Sequence, residues 1–440
     1  MLPAQRHRSP LSAELAHWAE RIEAVARSYG LSFHPVEFEL LDARAVNGLA
    51  AYGGFPVRYP SWRFGMEFER LEKGHQWGLS KIYELVINND PVVAYLVRSN
   101  SLPEQKLVMA HVFGHADFFR NNCWFASTER RMLDTMAQHA TLVRRRIDRE
   151  GLETVERFLD LALSLENLID PYLPLRRKLA GGAQAAGAPA PAAGDGPTFD
   201  VLGFLCERAP LAEWQREVLR LVRDEAYYFQ PQRMTKIMNE GWASYWHSRI
   251  LTGGVLDGSE IVDFADCHSG ATATAPGRLN PYKLGIELFR CAERRGEDLM
   301  RLRRVHDDAS FVDELLDEEF VASQKMFLYA RNPRSGKSEV SERDAAKVKA
   351  RLLADLSWGG LPRIELVGVD EGGALHLVHH HDGRDLQLAK ARETLARVGG
   401  LWGGPAVLDT REDGVGRRLR WRAGELKVEE LDTPTAQPAS

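Results

Sequence analysis

Two short segments constrain this 440-residue chain more than anything else in it. Residues 111–122 read His-Val-Phe-Gly-His-Ala-Asp-Phe-Phe-Arg-Asn-Asn, and residues 236–247 read Lys-Ile-Met-Asn-Glu-Gly-Trp-Ala-Ser-Tyr-Trp-His. Histidines four apart on a helix project from one face, one turn above the other, so His111 and His115 can address a single transition metal. A carboxylate from a separate helix would supply a third ligand, and Glu240 is the residue expected to do so. This is the ligand logic of a zinc metallohydrolase, although the spacing alone also suits two histidines hydrogen-bonded inside a helical core. Gly114 and Gly241 weigh toward a shared site. Each costs its helix about 1 kcal/mol relative to alanine, so something has to approach the backbone closely there. The two helices are therefore predicted to pack together, with His111, His115, Glu240 and His247 converging on one pocket bordered by His268 and Tyr282.

The helices themselves follow from local chemistry. Ser101-Leu102-Pro103-Glu104 reads as a capping box with proline in the first turn, where its missing N–H costs nothing. Leu107, Val108, Val112 and Phe113 continue at helical spacing, which places both histidines well inside the helix. In the second segment Ile237, Trp242, Tyr245, Trp246 and Ile250 form an apolar side, and Gly253-Gly254 ends it.

Glu240 and His247 are seven residues apart and thus about 10 Å apart along the axis, too far to serve one metal as equals. The preferred assignment makes Glu240 a ligand and His247 a proton donor, orienting group or oxyanion stabiliser. A zincin of the His-Glu-x-x-His type carries its general base directly after the first histidine, and here that residue is Val112. A base must then come from elsewhere: Glu240, with His247 replacing it on the metal, or Glu225 in the segment 222–229. His268 is a further candidate ligand. The expected set is zinc on His111, His115, Glu240 and His268, with Glu240, His247 and Tyr282 as catalytic residues.

The pattern along the chain implies an α+β protein. A large, mainly helical domain over 1–335 carries the zincin-like helix pair, and a small antiparallel α+β module follows over 340–433, ending in a disordered tail at 434–440. An amphipathic helix is predicted over 11–29, a loop-rich stretch with short extended pieces over 33–60, and helices from about 76 to 175. Residues 180–197 are rich in Ala, Gly and Pro and read as a flexible insertion. Helices resume over 212–229, from 235, and over 282–293. In the last module, strands are predicted on both sides of a Gly372-Gly373 turn, with a helix over 386–398 and three further strands. Its His376, His379, His380 and His381 are read as a solvated hairpin end, not as ligands, and the module as a substrate or partner platform.

Charge narrows the function. Lys and Arg number 57 against 62 Asp and Glu, a formal net charge of −5, which gives no electrostatic case for nucleic-acid binding. The four cysteines are scattered without metal-ligand spacing and read as reduced thiols of a cytoplasmic protein. No targeting or transmembrane run is visible.

Longer motifs carry a family resemblance. The stretches 54–57 (Gly-Phe-Pro-Val), 62–65 (Trp-Arg-Phe-Gly), 84–88 (Glu-Leu-Val-Ile-Asn), 111–122, 222–229, 235–247 and 280–285 (Asn-Pro-Tyr-Lys-Leu-Gly) occur in the order seen in the stage V sporulation protein R (SpoVR) family. On these the chain is identified as a member of that family over roughly residues 10–430. The resemblance implies a role in spore cortex formation or, in bacteria that make no spores, in stress responses. There it implies the company of an AAA-type serine protein kinase and a von Willebrand-domain-like protein. The resemblance supplies no catalytic residues, so the metal site rests on the residues alone. Two functions follow as expectations: a metal-dependent hydrolase of an amide or peptide-type bond, with peptidoglycan-related material among its candidate substrates, or a non-enzymatic scaffold of a kinase-containing stress complex.

Overall fold

A computed structural model describes residues 11–76, 84–179, 196–274, 278–331 and 338–431. The expected insertion (but for 196–197) and the tail lie outside the described residues. The fold is α+β and mainly helical, and the chain gathers into two compact units, each made of two stretches: 1–141 with 235–351, and 142–234 with 352–440.

In the first unit the helix Leu102–Asn121 starts as its sequence dictates. The Ser101 side chain accepts from the Glu104 N–H, the Glu104 carboxylate accepts from the Ser101 N–H, and Pro103 sits in the first turn. This helix is almost entirely buried from Gln105 to Phe119, so it forms the middle of the unit and not its surface. The helix Lys236–Thr252 is buried nearly all round as well. Thr235 gives it no side-chain cap; Asp308, from a separate helix, accepts from the N–H groups of Ile237 and Met238 at 2.8 Å each. Two donors left orphaned by helix geometry are thereby satisfied. Burial, outweighing those bonds, pushes the Asp308 carboxyl up to about 8.

Both motif glycines mark close helix approaches, but to different partners. A Cβ on Gly114 would lie 2.6 Å from the Cα of Ala243, so the two motif helices do cross there. A Cβ on Gly241 would lie 2.4 Å from the backbone of Gly285, on the helix Pro281–Arg294. The expectation that Gly241 faces the histidine helix is therefore corrected. Successive helical residues turn by about 100°, so positions 241 and 243 point to nearly opposite sides, and the central helix is gripped on both. Asp117 adds a polar tie between the motif helices: it accepts from Trp242 Nε1 at 2.9 Å, from Arg303 at 2.8 Å and from the Ser32 N–H at 2.7 Å.

A three-stranded sheet accompanies these helices, with Val36–Leu41 parallel to Val92–Val97 and Glu84–Ile87 antiparallel to it. The helical reading of 76–175 is thus corrected at 84–97. Val92–Val97 is a run of six residues buried on both faces, and such a run has no periodicity from which to choose strand over helix.

The second unit contains the helix Glu213–Met234 and a five-stranded sheet in the order Glu425–Leu431, Val415–Arg422, Ala406–Glu412, Leu375–His379, Ile364–Val369. Its pairings are antiparallel except for Leu375–His379 with Ala406–Glu412, which run parallel because the helix Leu388–Trp402 carries the chain back across the sheet. Gly399 on that helix meets Trp421, where a Cβ would lie 2.1 Å from the indole ring.

Candidate metal centre

The Leu102–Asn121 helix presents His111 and His115 side by side, their ring centroids 4.5 Å apart, toward the helix that carries Glu240. Glu240 Oε2 lies 3.6 Å from Nε2 of each imidazole. The donor atoms of the three residues all fall within 4.8 Å of one another, and among the described residues this is the group of three so placed. Zinc–nitrogen and zinc–oxygen bonds of about 2.0–2.1 Å require ligand atoms about 3.3 Å apart around a tetrahedral ion. The two edges to Glu240, at 3.6 Å, are slightly wider than that and too long for hydrogen bonds.

The outer atoms of the rings are all engaged. His115 Nδ1 lies 2.8 Å from Asn239 Oδ1. His111 Nδ1 lies 2.9 Å from His247 Nδ1, and His247 Nε2 lies 2.9 Å from His268 Nδ1. The Tyr282 ring stacks on His111 at 6.1 Å, and its side chain hydrogen-bonds with Glu240. Burial, and then the neighbouring His111, hold His115 down at about 4, so it is neutral at pH 7. His247 is held well below its ordinary value by burial, by His111 and by His268. For Glu240 burial would raise the carboxyl, but the His111, His115 and Tyr282 side chains outweigh it and hold it below the usual value, so it is ionised.

The residues expected from the sequence are thus sorted by the fold. His111, His115 and Glu240 converge, and Tyr282 borders them. His247 stands behind His111, on the side away from Glu240. His268 is half-buried and one imidazole further out, reaching the group only through His247. Glu225 is buried on the Glu213–Met234 helix of the other unit. Sequence reasoning missed Asn239, although it directly precedes Glu240; an asparagine beside a candidate ligand is the signal that was there to be used.

The histidines of the sheet module behave differently. His376 lies 2.9 Å from Asp409, His379 2.9 Å from Thr410, His380 2.6 Å from Glu365 and His381 2.7 Å from Asp385. The solvated reading is corrected at His379, which is buried: it sits on an interior strand whose alternation turns it inward.

This protein belongs to the SpoVR family: the family described as SpoVR like protein matches residues 11–190 and 179–361, most of the chain. It is also similar to the uncharacterized protein YcgB of Escherichia coli (strain K12), at 29% identity over 474 aligned positions that cover 89% of this chain and 91% of the relative. No solved structure matches the chain. Among the described residues, no helix is long and apolar enough to cross a membrane.

Proposed function

We propose that this SpoVR-family protein is a metal-dependent hydrolase whose divalent transition metal is held by His111, His115 and Glu240. One observation carries the reading. Asn239 Oδ1 can only accept a hydrogen bond, so His115 donates from Nδ1, and the lone pair of its Nε2 faces Glu240 Oε2 at 3.6 Å. That carboxylate oxygen is buried, and among the described residues no donor lies within hydrogen-bond distance of it. Two acceptors facing each other inside a protein repel, and a bound cation turns the repulsion into attraction. Imidazole nitrogens with one carboxylate suit zinc or a similar ion.

Such an ion supplies Lewis acidity and lowers the pKa of water to near neutrality. The protein's own groups do the rest. Glu240 acts as ligand in this arrangement. Tyr282, bonded to Glu240 and stacked on His111, offers a hydroxyl for a developing oxyanion on an amide or peptide-type substrate. His247 orients His111: with His111 Nε2 unprotonated, its Nδ1–H donates to His247 Nδ1, and His247 Nε2–H donates to His268. On this reading His268, one imidazole further out, stays off the metal. A role in spore cortex or stress physiology, in the cytoplasm, is proposed on family membership alone.

The test is metal content by elemental analysis of protein purified without affinity tag or chelator, followed by titration with zinc, manganese and iron. About one equivalent is expected. His111→Ala, His115→Ala and Glu240→Gln should each weaken binding strongly, whereas His247→Ala should retain metal, with no more than the affinity loss of an orienting partner. A wild-type protein that neither contains nor takes up metal overturns the hydrolase reading and leaves a scaffold for a serine protein kinase and a von Willebrand-domain-like partner in its place.

A further inference from the structure

We infer that Asn239 is a positioning residue that fixes which nitrogen His115 offers, and so decides whether the centre can load a metal. The inference rests on the metal reading above and adds a residue to it. His115 is buried, and consecutive residues of one helix face its two nitrogens: Asn239 bonds Nδ1 at 2.8 Å, and Glu240 stands 3.6 Å from Nε2 without bonding it. Consecutive helical side chains diverge by about 100°, and the two nitrogens of an imidazole also point well apart, so an adjacent pair can straddle one ring. Asn239 is itself buried, so no solvent stands ready to replace its carbonyl as acceptor.

The lock works through the tautomer. A neutral imidazole carries one proton. At Nδ1 the proton meets Asn239 Oδ1 and leaves Nε2 open; at Nε2 it would point at Glu240 and block the ligand position. Without the Asn239 carbonyl, the second form gains a hydrogen bond to the Glu240 carboxylate and the first loses its only acceptor. The balance then moves against the metal. His111 carries its own lock in His247, so the two ligand imidazoles are set by different kinds of acceptor, an amide and a ring nitrogen.

The experiment measures zinc affinity by competition with a chromophoric chelator, for wild type, Asn239→Leu, Asn239→Ala and Asn239→Asp, with folding followed by circular dichroism. The two variants lacking an acceptor should bind zinc roughly 10–100-fold more weakly, the usual cost of losing an outer-shell partner. Asn239→Asp, which keeps an acceptor, should restore affinity to within a few-fold of wild type. Folded Leu and Ala variants with wild-type affinity overturn the inference, as does an Asp variant no better than they are. Nitrogen-15 NMR of the His115 ring in the metal-free wild type needs no variant: the Nδ1-protonated tautomer is expected, and the Nε2-protonated one refutes the lock. If the wild type binds no zinc, the metal reading itself fails, an outcome distinct from wild-type binding that Asn239 does not affect.

Discussion

The protein holds two clusters of four histidines, and only one has the geometry of a ligand set. In the sheet module each imidazole has an acceptor of its own: Asp409, Thr410, Glu365 and Asp385. In the helical unit His111 and His115 face one carboxylate oxygen between them, and the rings of His111, His247 and His268 hydrogen-bond to one another. A histidine paired one-to-one with an acceptor is satisfied as it stands. A cluster whose lone pairs face one another is one that a cation would satisfy. Histidine density therefore says little, and the ratio of lone pairs to protons inside the cluster says a great deal.

The largest test of this contrast is thermal stability with and without zinc. An ion at 1,000 times its dissociation constant adds about 4 kcal/mol to a protein that binds it only when folded. That increment should disappear in His111→Ala and in His115→Ala, and persist undiminished in a His379→Ala/His381→Ala double variant. Differential scanning calorimetry in the two conditions measures it. An increment that follows the sheet-module histidines instead would reverse the comparison.

Acid separates the clusters next. His115 and His379 are each held at about 4, by burial first and by a neighbouring imidazole second. Both folded values lie below the ordinary 6.5, so each contributes stability that is present above pH 6.5 and lost as pH falls through about 4. The contribution is at most about 3 kcal/mol per residue. Urea denaturation at pH 7, 5 and 4 should show the loss in metal-free protein. Zinc should deepen the part due to His115, because protons compete with the ion for the same nitrogen, and leave the part due to His379 unchanged; His379→Gln should remove only the latter.

Glycine substitutions probe how tightly each cluster's scaffold is closed. Gly285→Ala puts a Cβ 2.1 Å from the Ile237 carbonyl oxygen, and Gly114→Ala puts one 2.6 Å from the Ala243 Cα. Backbone must move in both cases, at a cost of about 1–3 kcal/mol or more, and zinc affinity should fall with it because both approaches place Glu240. Gly399→Ala, against Trp421, should destabilise the sheet module without touching zinc affinity. The smallest effect is expected one residue on: Gly400 has nothing within 4 Å of its would-be Cβ, so Gly400→Ala should stabilise by up to about 1 kcal/mol. Equilibrium unfolding of the four variants ranks them, and a neutral Gly285→Ala would mean that the central helix is not held as described.

Much of this was legible in the chain. The capping box at Ser101 and Glu104, the helix over Lys236–Thr252, the hairpin across residues 372–373 and the pairing of His111 with His115 all depend on residues within a few positions of each other. Local chemistry decides such features, because the interacting groups are neighbours whatever the rest of the chain does. The tertiary structure decided the others. Which helix Gly241 meets, why Val92–Val97 is a strand, why Asp308 caps a helix 70 residues away, and that Asn239 and Glu240 hold one imidazole between them are matters of rotation and approach between distant segments. A rotation of about 100° per residue exchanges one partner for another without changing the apolar pattern, so periodicity could place His111, His115 and Glu240 on their helices but not say which side chain each would meet.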